Sequence, residues 1–144
     1  MKIPSFLLVI LQFACIAYFA IAVNFKYFNL FSSLILGCAI LLGIAAILFM
    51  RWNNFSVMPE PKSNSKIITR GPYSIIRHPM YTAVLLFCAS FLFSNLTYLN
   101  FSVFCILAIV LVIKINKEEK YLLHTFNHYS AYSEKTNKII PFIW

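Results

Sequence analysis

Residues 71–81 read GPYSIIRHPMY, a polar and basic stretch between two blocks of apolar sequence of membrane-spanning length. Arg77 and His78 can donate hydrogen bonds to a carboxylate or a phosphate, and Tyr81 adds a hydroxyl group. The Gly-Pro pair at the start favours a tight turn. Polar side chains at a bilayer boundary are costly unless they bind something polar. The stretch is therefore a candidate binding site, although each residue alone could equally be a headgroup-level anchor.

Two apolar runs precede this stretch. Ile3 to Val23 and Leu30 to Met50 each contain 21 residues, enough to cross a hydrocarbon core of roughly 30 Å. The first run could also be a signal peptide, because Lys2 precedes it and residues 20–22 resemble a cleavage site. Signal-peptide apolar regions are usually only about 7–15 residues long. We therefore predict two N-terminal membrane helices.

A second apolar block follows the stretch. Pro79 can begin a helix, since a proline at the first helical position loses no hydrogen bond. Met80 to Phe93 is apolar but short, a polar Ser-Asn pair interrupts the block, and Thr97 to Ile115 continues it for 19 residues. Two full spans with a tight turn, or a hairpin that dips in and returns, both fit this pattern. We predict a hairpin of two helices beginning at Pro79.

The tail beyond the second block predicts a helix that leaves the membrane between Lys114 and Tyr132. Apolar and polar side chains recur in it at spacings of three and four residues, which places them near one stripe of a helix. These residues are Ile115, Glu119, Leu122, Phe126 and Tyr129.

Composition places the whole chain in a membrane. Hydrophobic residues make up 61% and charged residues 11% of the 144 residues, against about 25% charged in soluble domains. We predict one all-α integral membrane domain over residues 1–144, with about four transmembrane helices and a cytosolic C-terminal helix. Basic residues concentrate in the loop 51–80 and in the tail from Lys114. By the positive-inside rule both polar clusters and the N-terminus face the cytoplasm.

Composition also excludes several kinds of chemistry. The chain has no Asp, which removes most carboxylate pairs and Ser-His-Asp arrangements. Its four cysteines each lie inside an apolar run, without the C-x-x-C spacing of a metal site, so we expect neither a disulfide nor a metal. A net charge of +8 could indicate nucleic acid, but the charges do not form a surface with exposed aromatic residues. We expect no nucleic-acid partner.

The tail supplies carboxylates to complement the basic stretch. Glu118 and Glu119 begin where the last apolar run ends, and a carboxylate there is disfavoured without a partner or a cationic ligand. A helical pair between Lys114 and Glu118 would also satisfy one of them. Together the two clusters offer an anion site and a cation site on one membrane face. A zwitterionic ligand with an aromatic group, such as S-adenosylmethionine, is compatible with them, although this chemistry does not single it out.

Five parts of the sequence, in this order, resemble the isoprenylcysteine carboxyl methyltransferase family of the wider phospholipid-methyltransferase-like group. They are IITRGPYSIIRHPMY at 67–81, the helical hairpin, the Glu pair, FNHYSAY at 126–132 and IIPF at 139–142. The resemblance covers about residues 53–141, and the two N-terminal spans match only in hydropathy. It implies S-adenosylmethionine as methyl donor. It also implies a two-helix span at 1–50 followed by a donor-binding catalytic portion at 51–144.

The resemblance also assigns roles to residues. Four residues would hold the amino-acid and ribose portion of the donor: His78, Pro79, Met80 and Tyr81. Four would line the adenosine side: Lys66, Ile67, Ile68 and Tyr73. Glu118 would contact the donor too, and we include Arg77 and Glu119 in the donor-binding set. The family commonly carries an Arg near the acceptor carboxylate, and this chain has Lys114 there. We assign Lys114 and Glu118 as the catalytic residues. Ala83 stands where the family usually has a Gly.

The implied reaction is attack of an acceptor lone pair on the sulfonium methyl group. A carboxylate is already ionised at pH 7 and needs no general base, so it fits best, with a thiol or a lipid amine second. We expect a lipophilic acceptor that enters laterally from the bilayer and membrane lipids as neighbours. Two other functions stay open from the sequence. They are an intramembrane NADPH-dependent reductase of the sterol-reductase type and a membrane adaptor without catalysis.

Overall fold

The fold is an antiparallel bundle of four helices with a short fifth helix at one end. A computed structural model describes residues 4–22, 25–50 and 67–141. The five helices, in chain order, are α1 (Ser5–Ala22), α2 (Leu30–Met50), α3 (Pro79–Ser94), α4 (Tyr98–Thr125) and α5 (Tyr129–Lys135). The prediction of an all-α membrane protein is confirmed.

Three helices of the described ranges, α1, α2 and α4, are long and apolar enough to cross a membrane. Helix α3 has 16 residues, about 24 Å at 1.5 Å per residue, and is apolar but shorter than these three. It begins at Pro79 as predicted, and residues 95–97 join it to α4, so the predicted hairpin is present.

Contacts along the bundle establish that the helices run alternately up and down. Phe31 near the start of α2 lies 5.4 Å from Phe93 near the end of α3, measured between ring centroids. Tyr18 near the end of α1 donates a hydrogen bond of 2.6 Å to Asn100 near the start of α4. The end of α2, the starts of α1 and α3 and the polar end of α4 therefore meet at one end of the bundle.

The core lies where α1, α3 and α4 meet. Seven buried apolar side chains form it: Cys15, Phe19, Cys88, Phe91, Leu92, Leu107 and Leu111. Helix α2 packs along α3 through small residues, as its composition suggests. Gly43 lies so close to Ala83 that a Cβ at residue 43 would be 3.6 Å from the Ala83 Cβ. The many exposed Leu, Ile and Phe side chains of α1, α2 and α4 are what a bilayer covers.

The predicted continuous helix from Lys114 to Tyr132 is wrong at its end. Helix α4 continues past Lys114 to Thr125, but Phe126 is extended (φ −124°, ψ 112°) and the chain turns before α5 begins at Tyr129. No Gly or Pro marks this break in the sequence. The turn lets α5 fold back onto the loop before α3, where Tyr132 donates to the Tyr73 carbonyl and Arg77 donates to the Ser133 carbonyl.

Candidate active site

The polar end of the bundle encloses a cavity of about 210 Å³. Its lining includes eight of the residues that the sequence nominated: Tyr73, Arg77, His78, Pro79, Met80, Tyr81, Lys114 and Glu118. Three residues of α1 complete one wall: Gln12, Phe13 and Ile16. Residues from both predicted portions, 1–50 and 51–144, therefore line one cavity.

His78 and Glu118 face each other across this cavity. The Nδ1 atom of His78 is 3.7 Å from Oε2 of Glu118. The Tyr81 hydroxyl donates a hydrogen bond of 3.0 Å to the same oxygen, and its ring stacks on the His78 imidazole at 5.6 Å between centroids. Pro79 starts α3 directly after His78, which fixes the imidazole at the helix entrance. The basic stretch and the acidic pair thus meet, as the sequence predicted.

Glu119 points elsewhere, because successive residues of a helix are rotated by about 100°. It is not among the residues that line the cavity. Its Oε1 accepts a hydrogen bond of 2.7 Å from Nε of Arg77 and lies 3.3 Å from Nε2 of His78. Lys138 approaches its other oxygen at 3.8 Å. Glu119 therefore neutralises the charges behind the cavity wall, and its proposed contact with the donor stays a prediction.

Arg77, in the loop before α3, forms hydrogen bonds with α4 and with the end of α5. Besides Glu119, its guanidinium donates to the carbonyl oxygen of Ser133 at 2.8 Å and to the carbonyl oxygen of Thr136. These carbonyls lie at the C-terminal end of α5, where a positive charge is favourable. The side chain is only 8% exposed. Two of the five guanidinium N–H donors thus bond to carbonyls at the end of α5, a contact that sequence reasoning missed. The predicted contact of Arg77 with the methyl donor stays a prediction.

A short segment that we call the C-terminal strap, residues 136–139, fixes the backbone of residues 77–79, which we call the RHP loop. Arg77 N–H donates to the Asn137 carbonyl at 2.7 Å, and His78 N–H donates to the Lys138 carbonyl at 3.0 Å. The Asn137 N–H returns a bond of 3.1 Å to Ile75. Ile76 and Asn137 form an isolated parallel β-bridge. The strap therefore sets the position of His78 without lining the cavity itself.

Three tyrosines pack at the polar end of the bundle, and of these Tyr73 lines the cavity. The Tyr73 hydroxyl is 3.4 Å from the Ala46 carbonyl, and the Tyr73 carbonyl accepts a bond of 2.6 Å from the Tyr132 hydroxyl. Burial raises the pKa of Tyr132 to about 12, and burial likewise raises the pKa of Tyr73 and Tyr129 above the usual tyrosine value. All three stay protonated at neutral pH. The Tyr132 hydroxyl donates a hydrogen bond, whereas the buried Tyr129 hydroxyl has no hydrogen-bond partner within the described residues.

Lys114 and Gln12 form a buried polar contact between α4 and α1. Lys114 is 1% exposed, and its ammonium donates to Oε1 of Gln12 at 2.5 Å. The ammonium also lies 5.2 Å from the centroid of the Tyr81 ring, in cation–π range. Sequence reasoning nominated Lys114 and missed Gln12. A long polar side chain in the middle of an apolar run is the signal that could have found it.

Of the predicted adenosine-side residues, Tyr73 lines the cavity, whereas Ile67 and Ile68 lie apart from it. Ile67 and Ile68 are half-buried and absent from its lining. Ile67 instead lines an open surface pocket with residues 125–128, at the turn between α4 and α5. Lys66 lies outside the described residues. The roles of these three residues stay predictions.

Comparison with known proteins gives the class of the chain. The model of the isoprenylcysteine carboxyl methyltransferase (ICMT) family matches residues 33–124, well over half of the sequence. A search of curated proteins found no match. The fold and this match define an integral membrane methyltransferase. The chain belongs to the isoprenylcysteine carboxyl methyltransferase family.

The matched region differs in extent from the resemblance read from the sequence. It begins at Ser33 and so includes most of α2, which sequence reasoning matched only in hydropathy. It ends at His124, before the FNHYSAY and IIPF parts. The RHP loop, the hairpin and the Glu pair all lie inside it.

Proposed function

We propose that this membrane methyltransferase uses S-adenosylmethionine and methylates the carboxylate of a lipophilic, prenylcysteine-like acceptor at the cytoplasmic face. The observation that carries the proposal is the Glu118 carboxylate in the cavity. In the described part of the chain it accepts one hydrogen bond, from Tyr81, although a carboxylate has about four acceptor positions. It retains capacity for a cationic group, which suits the ammonium and sulfonium of the donor.

The cavity residues suit the remaining parts of such a donor. His78 offers a hydrogen bond to a carboxylate or ribose oxygen. The Tyr81 hydroxyl, which donates its proton to Glu118, can accept a hydrogen bond from a ribose hydroxyl, and Tyr73 offers a flat aromatic wall. When bound, the donor supplies a methyl group activated by a sulfonium sulfur. The task of the chain is to align that methyl group with the acceptor and to exclude water, and such positioning supplies roughly 7–11 kcal/mol.

Lys114 supports a carboxylate as the acceptor. Its buried ammonium lines the cavity and attracts an anion, whereas it repels a protonated amine. A carboxylate needs no proton removed before it attacks, and none of the cavity side chains then has to act as a base. The acceptor oxygen forms the new bond to the methyl carbon as the carbon–sulfur bond breaks, and the sulfur keeps the electron pair as a neutral thioether.

An apolar recess next to the cavity supports a lipophilic acceptor. It holds about 210 Å³ between α1, α2 and α3, and it shares Ile16, Met80 and Val84 with the cavity. Ile47 on its rim is about half exposed on the outer face of α2, which a bilayer covers. An apolar tail can occupy this recess while its polar end reaches Lys114, in keeping with lateral entry from the membrane.

Donor binding tests the proposal directly. Purified protein in detergent should be stabilised against heat by S-adenosylmethionine and by S-adenosylhomocysteine, and not by NADPH. A ligand at 100 times its Kd stabilises by about 2.7 kcal/mol, which a melting curve resolves readily. Glu118→Gln should lose most of this stabilisation. Glu134→Gln, the same change on the exposed face of α5, is the matched control and should retain it. Stabilisation by NADPH alone would overturn the proposal.

A further inference from the structure

Gln12 of α1 occupies a place that neither the resemblance nor the family match assigns. It lies outside the matched residues 33–124, is 6% exposed and lines the cavity. It stands seven residues beyond Ser5, about 10 Å along α1, so it lies within a membrane-spanning segment. A buried amide there is costly unless its polar atoms have partners. The position of a buried amide at the cavity wall therefore needs a physical explanation.

The contact with Lys114 fixes how the Gln12 amide is oriented. An ammonium group has only donors, so the atom 2.5 Å from Nζ of Lys114 must be the carbonyl oxygen Oε1. The amide nitrogen Nε2 then occupies the other branch of the side chain, with two N–H donors. Gln12 therefore anchors the ammonium through its oxygen and offers donors through its nitrogen, on a wall shared with Lys114.

We propose that Gln12 and Lys114 together form the carboxylate-binding site for the methyl acceptor, with Gln12 positioning the ammonium and donating a second hydrogen bond. This inference rests on the proposed function. A planar guanidinium can grip a carboxylate with two parallel donors, whereas an ammonium is a point charge. With an amide N–H of Gln12 beside the ammonium of Lys114, the carboxylate again meets two hydrogen-bond donors, one from each side chain. The N-terminal helix thereby becomes part of the acceptor site.

The alternative is that Gln12 only satisfies the buried charge of Lys114. The two roles differ in what Gln12→Glu does. Glutamate is close in size to glutamine and gives Lys114 a stronger partner, so a purely structural role predicts retained stability and unchanged acceptor binding. For an acceptor site, the same change removes the N–H donors and places a negative charge beside the incoming carboxylate. Acceptor binding should then weaken at least about tenfold.

The experiment compares binding of N-acetyl-S-farnesylcysteine and of its methyl ester to the full chain with S-adenosylhomocysteine present. Wild type should bind the acid more tightly than the ester. Gln12→Glu should lose this preference while S-adenosylhomocysteine still stabilises the protein. Gln12→Met, which removes both amide groups without adding charge, is the second variant and should lose the preference too. Tyr18→Phe is the matched control, because it removes another α1–α4 hydrogen bond, near Asn100 and away from the cavity.

Each outcome decides between the roles. Loss of the acid preference in both Gln12 variants, with Tyr18→Phe unchanged, supports the site. Retention of the preference in Gln12→Glu overturns it, and so does a wild type that binds the donor but does not distinguish acid from ester. An equal loss in Tyr18→Phe also overturns it, because helix packing would then be the cause. Failure of wild type to bind S-adenosylhomocysteine contradicts the proposed function instead, so the two failures are distinguishable.

Discussion

Two glycines of the bundle differ in how they should respond to an added methyl group. Gly71 has a φ of +62°, and a Cβ there would lie 2.6 Å from the ring of Phe49. The left-handed conformation alone costs about 1–2 kcal/mol for a residue with a side chain. Gly43 lies inside α2, and a Cβ there would be at an ordinary contact distance of 3.6 Å from Ala83. Only the first position needs glycine for its backbone.

We therefore expect Gly71→Ala to lower the thermal stability of the protein and Gly43→Ala to leave it equal or raise it. Alanine inside a helix is favoured over glycine by up to about 1 kcal/mol. Melting curves of the two variants in the same detergent measure the difference. Equal melting temperatures for both variants would contradict the strain assigned to Gly71. The space beside Gly43 also explains how the chain accommodates the methyl group of Ala83.

The adjacent carboxylates Glu118 and Glu119 should give different phenotypes when each is changed to glutamine. Glu119→Gln withdraws the negative charge from Arg77, His78 and Lys138 and should destabilise the protein by about 1–3 kcal/mol. Glu118→Gln should weaken donor binding with a smaller loss of stability. Chemical or thermal unfolding without ligand reports the first effect, and donor titration reports the second. Exchanged phenotypes would show that the two roles are assigned the wrong way round.

At the scale of the elements, the sequence predicted the helices better than the connections. Runs of 19 to 21 apolar residues predict helices because a bilayer leaves the backbone no other way to satisfy its hydrogen bonds. Pro79 marked the start of α3 for a similarly local reason. The break at Phe126 has only Asn127 as a weak local turn signal. The position of α5 after the break depends on bonds that it makes to Tyr73 and Arg77. Long-range contacts of this kind are not visible in a single sequence.

For the candidate site too, some features could be predicted from the sequence and others depend on long-range packing. Residue types and their order predicted that His78 and Glu118 would meet, since both follow from where the helices begin and end. The orientation of Glu119 away from the cavity and the use of Arg77 as a support for α5 depend on packing. The pairing of Gln12 with Lys114 was missed because the two residues lie 102 positions apart, although a polar side chain inside an apolar run was a signal for Gln12 itself.

The backbone hydrogen bonds of the C-terminal strap can be tested by removing one of them. Asn137→Pro removes the N–H that bonds to Ile75 and should weaken both thermal stability and donor binding, because the RHP loop loses its parallel partner. Asn137→Ala keeps the N–H group and is the matched control. The measurement is donor-induced stabilisation of each variant. Equal stabilisation in both would mean that the strap does not position His78.

At the scale of the whole molecule, the alternating direction of the helices fixes which ends share a membrane face. Tyr98 at the start of α4 is 96% exposed, and Lys120 near its other end is also exposed. They are 22 residues apart, about 33 Å along the helix. These two positions should therefore lie on opposite sides of the bilayer.

We expect a membrane-impermeant thiol reagent to label Tyr98→Cys in intact cells and to label Lys120→Cys only after the membrane is opened. Both variants are made in a background without the four native cysteines, since Cys38 is exposed. This pattern would follow from the basic residues that flank the polar end. Labelling of Lys120→Cys in intact cells would place the proposed site on the outer face.

The pairing of Arg77 with Thr136 has a consequence for how the protein is made. The two residues are 59 positions apart, and the whole α3–α4 hairpin is synthesised between them. At about 5–20 residues per second, a ribosome needs roughly 3–12 s to cover that distance. During this interval the guanidinium has none of its α5 acceptors. The order of biosynthesis thus completes the sequence of both helices of the hairpin before the contacts of Arg77 with the end of α5 can form.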